Sequence, residues 1–239
     1  MNSYRRILIL GLILVGNHVL NAQTISSREL LDKAIAFHDP NNHWDAFSGS
    51  FKVLMQTPNS SDRLSLIHMD FPKQQFTLEV KKDEDSYSYS FNKETCETSL
   101  NGSMEISDEN RKKYRLTCES GKMMQNYYTY LYGLPMKLRD PGTILDDTIL
   151  TKTFKGKEYL VLKAAYEEGV GNDVWYFYFD PKTYAMEVYQ FYHDESKNDG
   201  EYILLEGLEE VNGIQMPKTR AWYYNKDNTY LGTDILVTE

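Results

Sequence analysis

Apolar and polar positions alternate with a period of two through most of the chain. Phe51, Val53 and Met55 alternate with Lys52 and Gln56, and Leu64 and Leu66 with Arg63 and Ser65. Phe76, Leu78 and Val80 alternate with Thr77, Glu79 and Lys81, and Tyr87, Tyr89 and Phe91 with Ser86, Ser88 and Ser90. Successive side chains on a strand point to opposite faces, so this pattern predicts antiparallel strands with one buried and one wet face. The second half predicts further strands over 149–155, 157–166, 173–180, 184–193, 201–208, 213–224 and 229–237. Between them lie turn formers such as Lys155-Gly156, Asp180-Pro181-Lys182-Thr183 and Asn212-Gly213. Gly and Asn tolerate positive φ, and Pro fixes it. Strand 173–180 is apolar on both faces, with Trp175, Phe177 and Phe179 opposing Val174, Tyr176 and Tyr178. It is expected to be covered on both sides. The spacing predicts a mostly β (α+β) fold, a curved antiparallel sheet forming an incomplete barrel.

Three segments break the alternation. Residues 26–37 (SSRELLDKAIAF) place Leu30, Leu31, Ala34, Ile35 and Phe37 at helical spacing after a Ser cap, and Asp39-Pro40 stops the helix. Residues 107–116 are charged and predict a helix capped by Ser107. Residues 122–132 (KMMQNYYTYLY) are apolar or aromatic almost all round, which predicts a short central helix buried on every side.

Residues 1–22 carry Arg5 and Arg6, then the apolar run Ile7 to Val15, then Ala22 before Gln23, the order of a secretory signal peptide. The run is too short for a stable membrane anchor. No Cys follows it, so no lipobox is expected, and residues 23–239 are expected to form one soluble, exported domain. Removing the leader takes two Arg and no acid from a chain of formal net charge −9, leaving about −11. An acidic chain without a Lys/Arg cluster argues against nucleic-acid binding. In an oxidising compartment the two cysteines, Cys96 and Cys118, are expected to pair, the alternative being two free thiols.

Residues 127–143 (YYTYLYGLPMKLRDPGT) and 171–235 resemble an uncharacterised family of secreted, often lipid-anchored, Gram-negative envelope proteins. That family is similar in turn to the outer-membrane lipoprotein carrier and lipoprotein-sorting superfamily. The resemblance implies a strongly curved sheet with helices plugging its concave side and a cavity that takes acyl chains. The family's cysteine pair matches Cys96 and Cys118.

On this reading Met123, Met124, Tyr127, Tyr128, Leu131, Leu134, Met136 and Leu138 form an apolar lid, and Trp175, Phe177 and Phe179 the facing wall. Methionine adapts to varied apolar shapes, and lipid sites carry few polar groups. The same residues equally describe a filled core. The expected function is a periplasmic carrier of lipid or another hydrophobic ligand. The alternative is an envelope protein–protein interaction module, and a hydrolase is a distant third. No Gly-x-Ser-x-Gly elbow, His-Glu-x-x-His motif or phosphate loop is present, and the acidic loop Asp194–Glu201 departs from calcium-loop spacing. No catalytic residue, metal or cofactor is therefore expected.

Overall fold

The structure, a computed structural model, describes residues 25–238. The predicted leader lies outside the described residues. The first helix, α1 (Ser27–His38), opens where Ser26 accepts a hydrogen bond from the Glu29 N–H. It buries Leu30, Leu31, Ala34 and Ile35 and ends at Asp39, whose carboxylate accepts the N–H groups of His43 and Trp44 at 2.7 and 2.9 Å. The first meander follows: β1 (Ser48–Thr57), β2 (Ser60–Asp70), β3 (Gln75–Lys82), β4 (Asp85–Asn92) and β5 (Thr95–Leu100). Two helices, α2 (Asp108–Tyr114) and α3 (Cys118–Gly133), lead to the second meander. It comprises β6 (Thr143–Leu145), β7 (Leu150–Phe154), β8 (Lys157–Tyr166), β9 (Val174–Phe179), β10 (Met186–Tyr192), β11 (Glu201–Val211), β12 (Ile214–Tyr224) and β13 (Tyr230–Val237).

All these strands form one antiparallel sheet in the order β5-β4-β3-β2-β1-β13-β12-β11-β10-β9-β8-β6, with β7 also on β8. The first and last strands join the two meanders, for β1 pairs with β13 from Lys52↔Val237 to Gln56↔Thr233. β5 and β6 do not pair, so the sheet curves without closing. Short β5 and β6 are strands that the alternation did not predict. The hairpin turns use the expected residues: Lys155-Gly156 and Asn212-Gly213 both take positive φ, as a two-residue type I′ turn requires.

One face of the sheet shares a single core with α1 and α3. Phe51, Val53, Ile67, Met69, Leu78, Phe177 and Phe179 pack there with Leu30, Tyr128 and Leu131. Strand β9 is covered on both sides, as its composition predicts. Its other face, Tyr176 and Tyr178, packs with Tyr159, Val161 and Val188 in a second cluster.

Strand β2 runs against its sequence reading. Ser65 is buried with Ile67 and Met69, and Leu64 and Leu66 stand half-buried on the opposite face. The apolar pattern of β2 changes parity between Leu66 and Ile67, and the deeper pair sets the inward face. Ser65 is satisfied there by the Tyr128 hydroxyl, which donates to its Oγ at 2.8 Å.

The helix α3 also departs from expectation. It starts earlier, at Cys118, where Thr117 Oγ1 accepts the Ser120 N–H at 3.1 Å. Its buried stripe is Gly121, Tyr128, Leu131 and Tyr132, and Met123 is 50% exposed. At about 100° per residue Met123 lies roughly opposite Tyr128, so only one stripe meets the sheet. Two devices hold the N-terminal end down. Cys118 is disulfide-bonded to Cys96 of β5. At Gly121 a Cβ would come within 2.7 Å of the Tyr89 ring, so the helix backbone rests directly on β4.

Candidate functional site

Seven of the proposed lid and wall residues, Tyr128, Leu131, Leu134, Met136, Leu138, Phe177 and Phe179, lie buried in the main core. Met124, Tyr127 and Trp175 pack partly buried against it, and Met123 projects outward. The interior beneath the C-terminal half of α3 is thus filled with side chains. Open space remains beside the helix, in two clefts that both use α3 as a wall.

The larger cleft, about 510 Å³, is bounded by Lys122, Asn126, Thr129 and Tyr130 of α3, Trp175 of β9, and the segments around Asp140 and Gly171. The smaller, about 320 Å³, is bounded by Met55 and Thr57 of β1, Tyr127 of α3, Glu201, Trp222, and Leu231 to Asp234 of β13. Aromatic rings run from one cleft to the other along the concave face. Tyr130 meets Trp175 edge-on at 5.5 Å, Trp175 lies 6.0 Å from Tyr189, and Tyr189 lies 6.2 Å from Trp222. Offset and edge-on contacts of this kind suit the ring quadrupole, and Tyr189 in the middle of the row is fully buried.

Beside the rings runs a row of charge that the hydrophobic pattern did not reveal. Arg63 pairs with Met55, Met55 with Asp234, and Asp234 with Arg220 across four adjacent strands. Directly paired residues share a face, so all four point to the concave side. Arg220 is 1% exposed. Its guanidinium sits 3.9 Å over the Tyr132 ring, and it donates to the carbonyls of Pro217 at 2.9 Å and Leu131 at 3.4 Å. It thereby joins β12 to the last turns of α3. Asp234 is buried, and its Oδ2 accepts the Trp222 indole N–H at 3.1 Å. Burial pushes the Asp234 carboxyl above the usual range, against the pull of Arg220 and Arg63. Glu201 is raised by burial as well. Burial holds the phenols of Tyr127 and Tyr132 well above their ordinary range, so both are neutral donors. Among the described residues, Tyr132 Oη, Tyr189 Oη, Arg63 Nε and Arg220 Nε are buried without a hydrogen-bond partner. Buried polar atoms are nearly always paired, so four orphans around one row mark a place where water or a ligand group belongs.

At the rim of the larger cleft, exposed His193 lies 2.7 Å from Asp173, whose carboxylate raises the imidazole pKa. No group of three His, Cys, Asp or Glu side chains among the described residues is placed to hold a metal ion. No helix among them is long and apolar enough to cross a membrane.

A family model of unknown function, DUF6503, matches residues 5–239. The chain belongs to this family. No curated protein matches the sequence. Among solved structures, a DUF1329 family protein from Desulfovibrio piger superposes on this DUF6503 chain with a TM-score of 0.50 at 10% identity, over 89% of this chain and 91% of that one. At that identity the likeness concerns the fold. A LolA superfamily protein from Nitrosomonas europaea gives a TM-score of 0.49 at 10% identity, over 90% and 93% of the two chains. A domain described as an outer-membrane lipoprotein-sorting protein, from Vibrio parahaemolyticus, gives 0.49 at 12% identity, over 88% and 89%.

Proposed function

We propose that this protein is an exported, periplasmic carrier of lipid or another hydrophobic ligand, which it holds between α3 and the concave face of its sheet. The observation that carries the reading is the continuous row of rings from Trp175 to Trp222, roofed by α3 and open to a cleft at each end. A filled interaction module has no use for the cleft space at the two ends of the row. A carrier needs it, because each buried methylene contributes about 0.8 kcal/mol before the cost of ordering. Uptake on this account is passive and runs through the open mouths of the two clefts, with the N-terminal end of α3 held to β5 by the disulfide. Residues 23–239 act as one unit in this reading, with no catalytic residue and no cofactor.

Native mass spectrometry with lipid extraction tests it, on mature protein purified from an exporting Gram-negative host. The expected result is co-purified acyl species, or uptake of added fatty acid or phospholipid, lost in a folded Trp175→Glu variant. A clean apo mass with no uptake of either lipid would overturn the proposal.

A further inference from the structure

The smaller cleft has walls of one sign of charge. Asp234 and Glu201 are its ionisable carboxyl side chains, and no Lys, Arg or His among the described residues lines it. Its aromatic walls are Trp222 and Tyr127. Asp234 is 5% exposed, and only its Oδ2 accepts a hydrogen bond among the described residues, from Trp222. Its Oδ1 and both oxygens of Glu201 accept none among the described residues. Of the nearby cations, Arg220 donates to two backbone carbonyls and stacks on Tyr132, and neither Arg220 nor Arg63 is among the described residues that line the cleft. A buried carboxylate with an unused oxygen, in a cavity walled by an indole and a phenol, is complementary to a cation that is itself poorly hydrated.

We infer that the Asp234–Glu201–Trp222–Tyr127 cleft recognises an organic ammonium group, the head of a ligand whose apolar part lies along the aromatic row under α3. The inference rests on the carrier reading and names the polar end of its ligand. Ring faces attract an alkylammonium, and the two carboxylates add direct electrostatic complementarity. An anionic head placed there meets two acids and no lining cation. The compensating positive charges, Arg63 and Arg220, reach the cleft only through Asp234, which both of them attract. The same chemistry could be offered by an ammonium-headed lipid or by a free organic amine.

The test compares three amphiphiles of equal chain length, each below its micelle concentration, by calorimetry and Trp fluorescence: decyltrimethylammonium, decanoate and decyl glucoside. Decyltrimethylammonium is expected to bind about tenfold or more tightly than decanoate. The Glu201→Gln and Asp234→Asn variants are each expected to shrink that ratio, and the double variant to bring it to about one. Glu201 is half-buried at the cleft and tolerates Gln, so the test stands even if Asp234→Asn fails to fold. Decanoate binding as tightly as the ammonium compound, or a preference that survives Glu201→Gln and Asp234→Asn together, would overturn the inference. If decanoate and glucoside bind and the ammonium gains nothing, the cation site alone falls. If none of the three binds, the carrier reading falls with it. Tetramethylammonium separates the two sources: comparable affinity identifies a free amine, and much weaker binding identifies a lipid.

Discussion

Arg220→Met is expected to destabilise the protein by about 3 kcal/mol, measured by urea denaturation at neutral pH. The side chain is buried and makes two charge-assisted hydrogen bonds to carbonyls, one of them to Leu131 in α3. Each such bond contributes roughly 1.5–3 kcal/mol, and the apolar volume of Met returns part of the loss. The larger consequence falls on Asp234, its cross-strand partner, which loses a cation that now favours its ionised form. An acid whose folded pKa lies above its unfolded value costs stability as pH rises past the unfolded value, so the Arg220→Met penalty deepens toward alkaline pH. Asp234→Asn should therefore cost clearly less in the Arg220→Met background than in the wild type, a coupling of about 1 kcal/mol or more in a double-mutant cycle. Strict additivity would show that the two groups do not interact and that the buried row is not an electrostatic unit.

The second large effect is a loss of stability in mild acid. His38, at the end of α1, is 0% exposed. Its Nδ1 lies 2.7 Å from the Gln215 carbonyl of β12, and its Nε2 accepts the Met186 N–H of β10 at 3.0 Å. Those partners require the neutral ring with the proton on Nδ1. Burial, with a smaller push from Arg220, lowers the pKa from 6.5 to about 4. The unfolded chain takes up this proton near pH 6.5, and the folded chain only near 4. The stability contribution is thus whole above about 6.5 and is lost as pH falls toward 4, a total of roughly 3 kcal/mol. Asp180 and Asp194, held low by Lys157 and Lys197, act below this window, whereas the raised carboxyls of Asp234 and Glu201 take up protons above the ordinary carboxylate range and oppose the slope equally in both proteins. Denaturation midpoints between pH 7 and 4 check it, and a folded His38→Gln variant should lose most of the slope. An equal slope in both proteins would refute the assignment.

Much of this architecture is legible in the sequence because it follows from period and punctuation. Alternation in β1, β3 and β4, together with the turn residues, marks those strands. Ser26 and Pro40 bracket α1, and the two-faced apolar run in β9 announces burial on both sides. Pairing of β1 with β13 is not legible, because no local pattern specifies which distant edges meet. Most of the residues proposed as lid and wall fill the core, and only Tyr127 and Trp175 of them line the two clefts. Hydrophobicity alone does not separate the two roles. Arg63, Arg220, Asp234 and Glu201 are not legible from the hydrophobic pattern, because it carries no mark for charge on an inward face. A signal did exist: Asp234 shares the parity of Leu236, and Arg63 that of Ile67 and Met69, so each charge lies on the buried side of its strand.

The most direct test of the central claim uses the chain's three tryptophans as position markers. Trp175 and Trp222 stand at the two clefts, and Trp44 is packed with Phe47 and Phe71. In variants that keep one Trp each, with Phe at the other two positions, a dibrominated stearic acid is added and fluorescence is followed. Bromine quenches an indole only at near contact. If the concave face takes an acyl chain, Trp175 and Trp222 are quenched at saturating ligand while Trp44 keeps its emission. Equal quenching of all three, or none, would contradict a ligand held between α3 and the sheet.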